Sequence, residues 1–366
     1  MSRKNQVETE TAAPSQTQLE ASQAFEYRCS MPEVPEPEFL RMGLHPDRLS
    51  ALVVNANKWA NGTVLHFCFI GSGVAEAERN VVRKAFQEWK ALGIGLEFQE
   101  VTKLSEAEVR IGFVPNDGSW SYIGTEVLKQ PQKSRTMNFG WSLLSAPGRD
   151  TALHEIGHTL GLPHEHQNPL AGIVWDEEAV YQALAAPPNN WSREQTHYNI
   201  IRKLPKNTVE GSNWDPDSVM HYPFEPGLIR QPAPYYNNGL RPAGGLSNFD
   251  RQWALKFYPA IQASSIRALS TGQSIQLPNQ AGEQINLSIT PAATRKYTIQ
   301  TIGPADCALV LFRTTGGNQQ FVIADDDSGE ERNARVELKL TAGESYMARV
   351  RVKFAGSDES PVIMMW

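Results

Sequence analysis

Basic charge, cysteine and long apolar runs are all scarce in this chain of 366 residues. Lys and Arg number 34 against 40 Asp and Glu, a net charge of −6, and no basic cluster gathers anywhere. A surface that holds nucleic acid needs such a cluster, so nucleic acid is excluded as a partner. No stretch of about 18 apolar residues exists, so no membrane span is expected. The N-terminal "MSRKNQVETETAAPSQTQ" has two basic residues but lacks the apolar run of a signal peptide. Three cysteines, Cys29, Cys68 and Cys307, lie far apart and are odd in number, which gives no disulfide framework. A reducing compartment and an exported chain that does without bridges both stay open.

Composition changes along the chain divide it. Residues 1–46 are rich in Glu, Gln, Ser and Pro and read as a flexible arm or prosegment. Then "NGTVLHFCFI" (Asn61 to Ile70) reads as a buried strand feeding an amphipathic helix, with Val82, Phe86, Trp89 and Leu92 at helical spacing and Gly93 as the stop. "GLEFQEV", "EVRIGFV", "SYIGTEVL" and "RTMNFGW" read as four more strands, which gives a five-stranded sheet. Helical runs are expected near Asp176 to Leu184 and Ser192 to Leu204. "SNFDRQWALKFYP" closes the unit, with Ser247 and Asp250 spaced as a capping box and Pro259 as the stop. A mixed α+β domain is therefore expected over 47–260. From 264 to 366 short strands recur between Gly, Pro and Asp turns, the spacing of an all-β sandwich.

The chemistry sits in "DTALHEIGHTLGLPHEHQNP" (Asp150 to Pro169), which packs four of the chain's eight histidines into thirteen positions. His154 and His158 are four apart, so on a helix they share one face a turn apart. Gly161 lets the chain reverse and bring His164 to the same point. Three neutral imidazoles with one open position suit catalytic zinc, and Glu155 beside its water is the natural general base. A structural zinc site would use four protein ligands and gives no reason for the carboxylate. His166 falls outside the spacing and reads as a neighbour of the site or a surface residue.

His154-Glu155-x-x-His158-x-x-Gly161-x-x-His164 is the metzincin signature, which implies a methionine turn downstream. "DPDSVMHYP" (Asp215 to Pro223) closely resembles that of the astacin branch. The resemblance implies that Met220 forms an apolar floor under the histidines and that Tyr222 is both an extra metal ligand and a stabiliser of the transition state. Glu165 and "SWSYIG" (Ser119 to Gly124) also look astacin-like, the latter resembling the edge strand that lines the cleft, so Ser121, Tyr122, Ile123 and Gly124 are expected to bind substrate. The likeness covers roughly Val53 to Pro259. It lacks two usual astacin features, an arginine soon after the third histidine and bracing cysteine pairs.

Together the motif and the resemblance predict a zinc-dependent endopeptidase of astacin-like, metzincin type, acting on extended protein or peptide substrates laid antiparallel to Ser121 to Leu128. A monomer is expected, and the resemblance suggests export. The last hundred residues resemble the bacterial pre-peptidase C-terminal domain through "YTIQTIGPADCALVLF" and "IADDDSGEERNARVELKL". Asp325, Asp326 and Asp327 there are candidates for calcium, or for an ordinary acidic turn. Finally, "YRCSMPEV" (Tyr27 to Val34) resembles the matrixin cysteine switch, whose thiolate replaces water on the metal. Arg28, Cys29 and Pro32 match, while Ser30 stands for glycine and Glu33 for aspartate, so Cys29 is either a latency switch or an incidental thiol of the arm.

Overall fold

The computed structural model describes residues 29–32, 57–59, 61–71, 73–187, 189–204, 213–260, 266–316, 318–329, 333–355 and 360–366. Apart from 29–32, the arm expected over 1–46 lies outside the described residues.

The first strand, β1 (Val64–Phe69), leads into α1 (Glu76–Lys90), whose Val82, Phe86 and Trp89 are buried as their spacing predicts, together with Ala85, while Leu92 lies just past the helix and is partly buried. Phe86 stacks on Phe67 with ring centroids 4.4 Å apart, which pins the helix to the sheet. Next come β2 (Glu97–Glu100), β3 (Val109–Gly112), β4 (Trp120–Ser121) and β5 (Met137–Asn138). The expected five-stranded sheet forms in the order β2-β1-β3-β5-β4. Its inner pairs are parallel and the edge strand β4 is antiparallel.

One expected strand is much shorter. "SYIGTEVL" pairs only at its start, because Gly124 turns at φ +50 and Gly124–Lys129 winds into a 3-10 helix. Thr125 N–H donates to Asn57 O at 2.9 Å, and a Cβ on Gly124 would collide with that same carbonyl. Close approach of a second backbone thus fixes glycine there and ends the strand.

Helix α2 (Ala146–Thr159) lies under the sheet, and Trp89 Nε1 of α1 donates to Leu153 O at 3.1 Å. Beyond it β6 (Val174–Trp175) pairs with β7 (Ile229–Gln231), with α3 (Glu177–Ala185), α4 (Arg193–Thr196) and α5 (Ala233–Asn238) nearby. The helical run expected over Ser192 to Leu204 forms from Arg193 to Ile201, α-helical to Thr196 and then widened into a π-helix over His197–Ile201. These elements bury a second cluster that includes Trp175, Trp191, Ile200, Tyr222 and Phe224, and it also takes in Cys29 and Met31. Helix α6 (Asn248–Phe257) closes the unit with the expected capping box of Ser247 and Asp250.

Two further sheets complete the chain. Strands β8 (Arg267–Ala268), β9 (Ser274–Gln276), β10 (Gln284–Ile289), β11 (Arg295–Ile302), β12 (Asp306–Thr315), β13 (Asn318–Asp325), β14 (Arg335–Leu340), β15 (Ser345–Phe354) and β16 (Val362–Met365) form them. Their orders are β13-β12-β15-β10-β8 and β14-β11-β16-β9. The sandwich has its own core, built from Leu287, Ile299, Leu309, Val336 and Val350 among others. It meets the first unit through polar groups. Asn61 N–H donates to Gln284 Oε1 at 2.6 Å, Gln284 Nε2 returns a bond to Asn61 O at 2.7 Å, and Arg349 reaches Thr63 Oγ1 at 3.3 Å.

At the acidic turn, Asp325 accepts from Ser328 N–H at 3.0 Å and Arg335 N–H at 2.8 Å, and Asp326 pairs with Lys353 Nζ at 2.8 Å. These carboxylates brace the turn, and with Asp327 they form no converging donor group among the described residues, so calcium gains no support. No described helix is long and apolar enough to cross a membrane.

Candidate active site

Helix α2 carries His154, Glu155 and His158 to its C-terminal end, the two histidines one helical turn apart. Gly161 comes next at φ +88 and reverses the chain, so His164 returns over the helix. The three rings meet, with centroids 4.7 Å apart for His154–His158 and His158–His164 and 5.3 Å for His154–His164.

Carbonyls set the tautomers. His154 Nδ1 lies 2.8 Å from Val219 O and His158 Nδ1 lies 2.8 Å from Leu162 O, so both Nδ1 atoms donate and both Nε2 atoms carry lone pairs. Nε2 of His154 is buried without a hydrogen-bond partner, and Nε2 of His158 faces Nε2 of His164 at 3.1 Å. Burying an orphaned acceptor costs on the order of 1–3 kcal/mol, and a cation shared by the rings removes that cost. Burial also depresses the imidazoles, His154 to about 4 and His158 and His164 well below the ordinary value, so all three stay neutral as metal ligands must. The donor set therefore fits a borderline-soft divalent ion such as zinc.

The structure adds a fourth donor. Cys29 Sγ and one nitrogen from each of His154, His158 and His164 all lie within 4.8 Å of one another, and all four residues are buried. Cys29 Sγ donates to Glu155 Oε2 at 3.5 Å, while burial and that carboxylate push the thiol well up. Burial lifts the Glu155 carboxyl to about 8. The Tyr222 hydroxyl donates a short hydrogen bond to the Cys29 carbonyl, so it is tied to the arm.

Met220 sits under α2, where a Cβ on Gly157 would collide with its Sδ. Its turn is pinned from two sides. Asp250 accepts from Ser218 Oγ at 2.6 Å and Val219 N–H at 2.9 Å, and Met220 O accepts from Glu165 N–H at 3.0 Å. Val219 O is the acceptor of His154, so Asp250 acts on a histidine through a single residue. Spacing alone marks Asp250 only as a helix cap. Burial lifts Glu165 to about 7, and its Oε1 accepts from Asn168 at 2.9 Å and Asp215 N–H at 3.1 Å.

His166 is buried too, stacked on His164 with centroids 5.1 Å apart, and Nε2 lies 2.9 Å from Asn199 O. Ser121 is buried on β4 with its hydroxyl 3.2 Å from Thr159 Oγ1. Tyr122 packs on the sheet core and Ile123 on the second cluster, which places this stretch along the rim between them.

Residues 52–226 match the family model described as Astacin (Peptidase family M12A). The structure of myroilysin is 32% identical with a TM-score of 0.52, over 57% of this chain and 98% of that one. The chain belongs to the astacin family. Among astacin-like relatives, a zinc metalloproteinase nas-8 from Steinernema carpocapsae is 26% identical over 183 residues, half of this chain. A serralysin from Photorhabdus laumondii is 33% identical over 102 residues, a quarter of this chain. The chain spans 38% of the former's length and 21% of the latter's. The metallopeptidase family thus accounts for the sheet, α2 and the methionine turn together.

Proposed function

We propose that this protein is a zinc-dependent endopeptidase held latent by its own arm. The observation that carries the reading is the convergence of three neutral imidazoles, two with lone pairs fixed inward by carbonyls, on one buried point beside a carboxyl. His154, His158 and His164 would hold the ion, with Met220 as the floor of their cage. Zinc, when bound, supplies a Lewis acid that polarises the scissile carbonyl and acidifies water.

Every other part is played by the chain. Glu155, freed from Cys29 once the arm is removed, takes a proton from the attacking water as a carboxylate and hands it to the leaving amine. Tyr222 donates a hydrogen bond from its hydroxyl to the carbonyl oxygen as negative charge builds there, and would be a further ligand to the ion when no substrate is present. Substrate lies along the rim of Ser121, Tyr122, Ile123 and Gly124. Before activation Cys29 would be the fourth donor to the ion, its thiol proton passing to the Glu155 carboxylate 3.5 Å away, while its carbonyl engages the Tyr222 hydroxyl. Three hydrolytic functions are thereby blocked by one residue.

The test is metal analysis with digestion of casein or a peptide library after proteolysis within the arm. About one zinc per chain and activity abolished by chelators are expected. Peptidase activity that survives exhaustive metal removal would overturn the proposal.

A further inference from the structure

We infer that Asn199 is a peptide-positioning residue whose Oδ1 accepts one main-chain N–H of the substrate. The inference rests on the peptidase reading above and adds a residue that the zinc signature does not contain.

The arm shows what the cleft does to a peptide. Two of its backbone groups are read by side chains of the lower wall: the Cys29 carbonyl by the Tyr222 hydroxyl, and the Met31 N–H by Asn199 Oδ1 at 3.1 Å. In an extended chain the C=O of one residue and the N–H two residues on lie along the same edge. Tyr222 and Asn199 are therefore spaced to grip one edge of a strand, whichever peptide supplies it.

Asn199 is built to keep its acceptor in place. The residue is 2% exposed, and Nδ2 donates to Gln195 O at 3.1 Å, which turns Oδ1 toward the cleft. Its own carbonyl is held 2.9 Å from His166 Nε2, and the His166 ring packs on His164 and Tyr222. The acceptor thus stands at a fixed distance from the metal cage. It lies in the π-helix His197–Ile201, an irregularity that removes the regular helical register where the cleft is lined. A cavity of about 410 Å³ runs beside it, bounded by Ser30, Met31 and Pro32 of the arm and by Trp120, Tyr198 and Asn199 of the walls. Side chains of a bound peptide have room there.

The upper rim makes such an acceptor necessary. Beyond β4 the chain stays extended only through Ile123 before Gly124 turns it, so a ladder on that edge supplies few main-chain bonds. A second grip from the lower wall fixes the peptide along its other edge.

An N-methyl scan tests this. The full chain, activated by proteolysis within residues 40–56, is assayed on one cleavable peptide and on analogues methylated at each amide in turn. One methylated position is expected to raise KM about fivefold to tenfold with kcat nearly unchanged, the effect of one neutral hydrogen bond. Asn199→Ala should raise KM for the parent peptide by a similar factor and make that position insensitive to methylation. Asn199→Asp, which keeps an acceptor oxygen, should preserve the sensitivity. Zinc content and the unfolding midpoint of each variant establish that the cage is intact. Hydrolysis with no methyl-sensitive amide, or with one equally sensitive in Asn199→Ala, overturns the assignment. No hydrolysis of the parent peptide by the wild type overturns the peptidase reading and this inference with it.

Discussion

Gly157 and Met220 occupy each other's space: a Cβ on the glycine would collide with the methionine sulfur. Alanine is ordinarily the better helix former by about 1 kcal/mol, so Gly157→Ala in a free helix would stabilise. Here overpacking costs about 1–3 kcal/mol and reverses the sign. The variant should lose several degrees in unfolding midpoint and bind zinc more weakly, because the methionine turn also supplies the carbonyl that orients His154. A midpoint that rises, read by calorimetry on the zinc-loaded chain, would show that the contact is slack.

Removing the proton carrier should leave the metal in place. Glu155→Ala is expected to keep its zinc while kcat falls by several orders of magnitude, since general acid–base catalysis alone contributes about 10²–10⁴-fold. Tyr222→Phe keeps the ring packed on His164 and should cost less. Near-full activity in Glu155→Ala, with zinc measured in the same sample, would refute its role as the base.

Latency should depend on a single atom. Cys29→Ser replaces a strong zinc ligand by a weak one, so the intact variant should hydrolyse peptides where the intact wild type does not. Treatment of the wild type with a thiol-reactive reagent should do the same, provided that the reagent reaches a side chain that is 5% exposed. Equal rates for intact wild type and Cys29→Ser would reduce the cysteine to an incidental contact.

How far the site is legible in the sequence depends on how local each signal is. His154, Glu155, His158, Gly161 and His164 lie within eleven residues, and helical periodicity with one reversal brings them together. Cys29 is legible only through a resemblance, because nothing local says that a chain segment 126 residues from Glu155 will reach it. Asp250 announces itself as a helix cap and hides its second task, bracing Ser218 and Val219 across about thirty positions. The strand expected at "SYIGTEVL" stops short because Asn57 comes too close to Gly124, a tertiary fact with no trace in β-propensity. Arg349, Arg351 and Lys353 alternate with core residues on β15 as solvated positions do, yet all three are buried.

Zinc retention should persist into moderately acidic solution. Free histidine protonates near 6.5, but burial holds His154 at about 4 and also holds His158 and His164 well below the ordinary value. A folded-state value below the unfolded one means that the neutral, ligating form is favoured above the folded value and is lost only as pH falls through it. Zinc measured after desalting at stepped pH should therefore stay bound at pH 6 and leave below about 5. Release centred near 6.5 would mean that the imidazoles titrate as if exposed.

The two units should separate with a measurable but modest loss. Each has its own apolar core, and no residue of the sandwich core belongs to the catalytic one. What joins them is polar: the paired bonds between Asn61 and Gln284, Arg349 to Thr63, and Arg351 to the Trp59 carbonyl at 3.4 Å. Hydrogen bonds of this kind are worth about 1 kcal/mol each net of water, and for a catalytic unit of this size that translates to roughly 2–4 °C per kcal/mol. The contacts that hold the end of α2, Trp59 Nε1 to Thr159 O and Tyr258 to Leu160 O, both at 2.7 Å, lie within the first unit and survive truncation. A chain ending after Ala260 should therefore bind zinc and cleave short peptides at the full-length rate once its arm is cut, with an unfolding midpoint lowered by roughly 8–16 °C. A soluble, zinc-loaded truncation that has lost activity on short peptides would show that the sandwich shapes the site, and that the boundary near Pro259 does not divide two independent units.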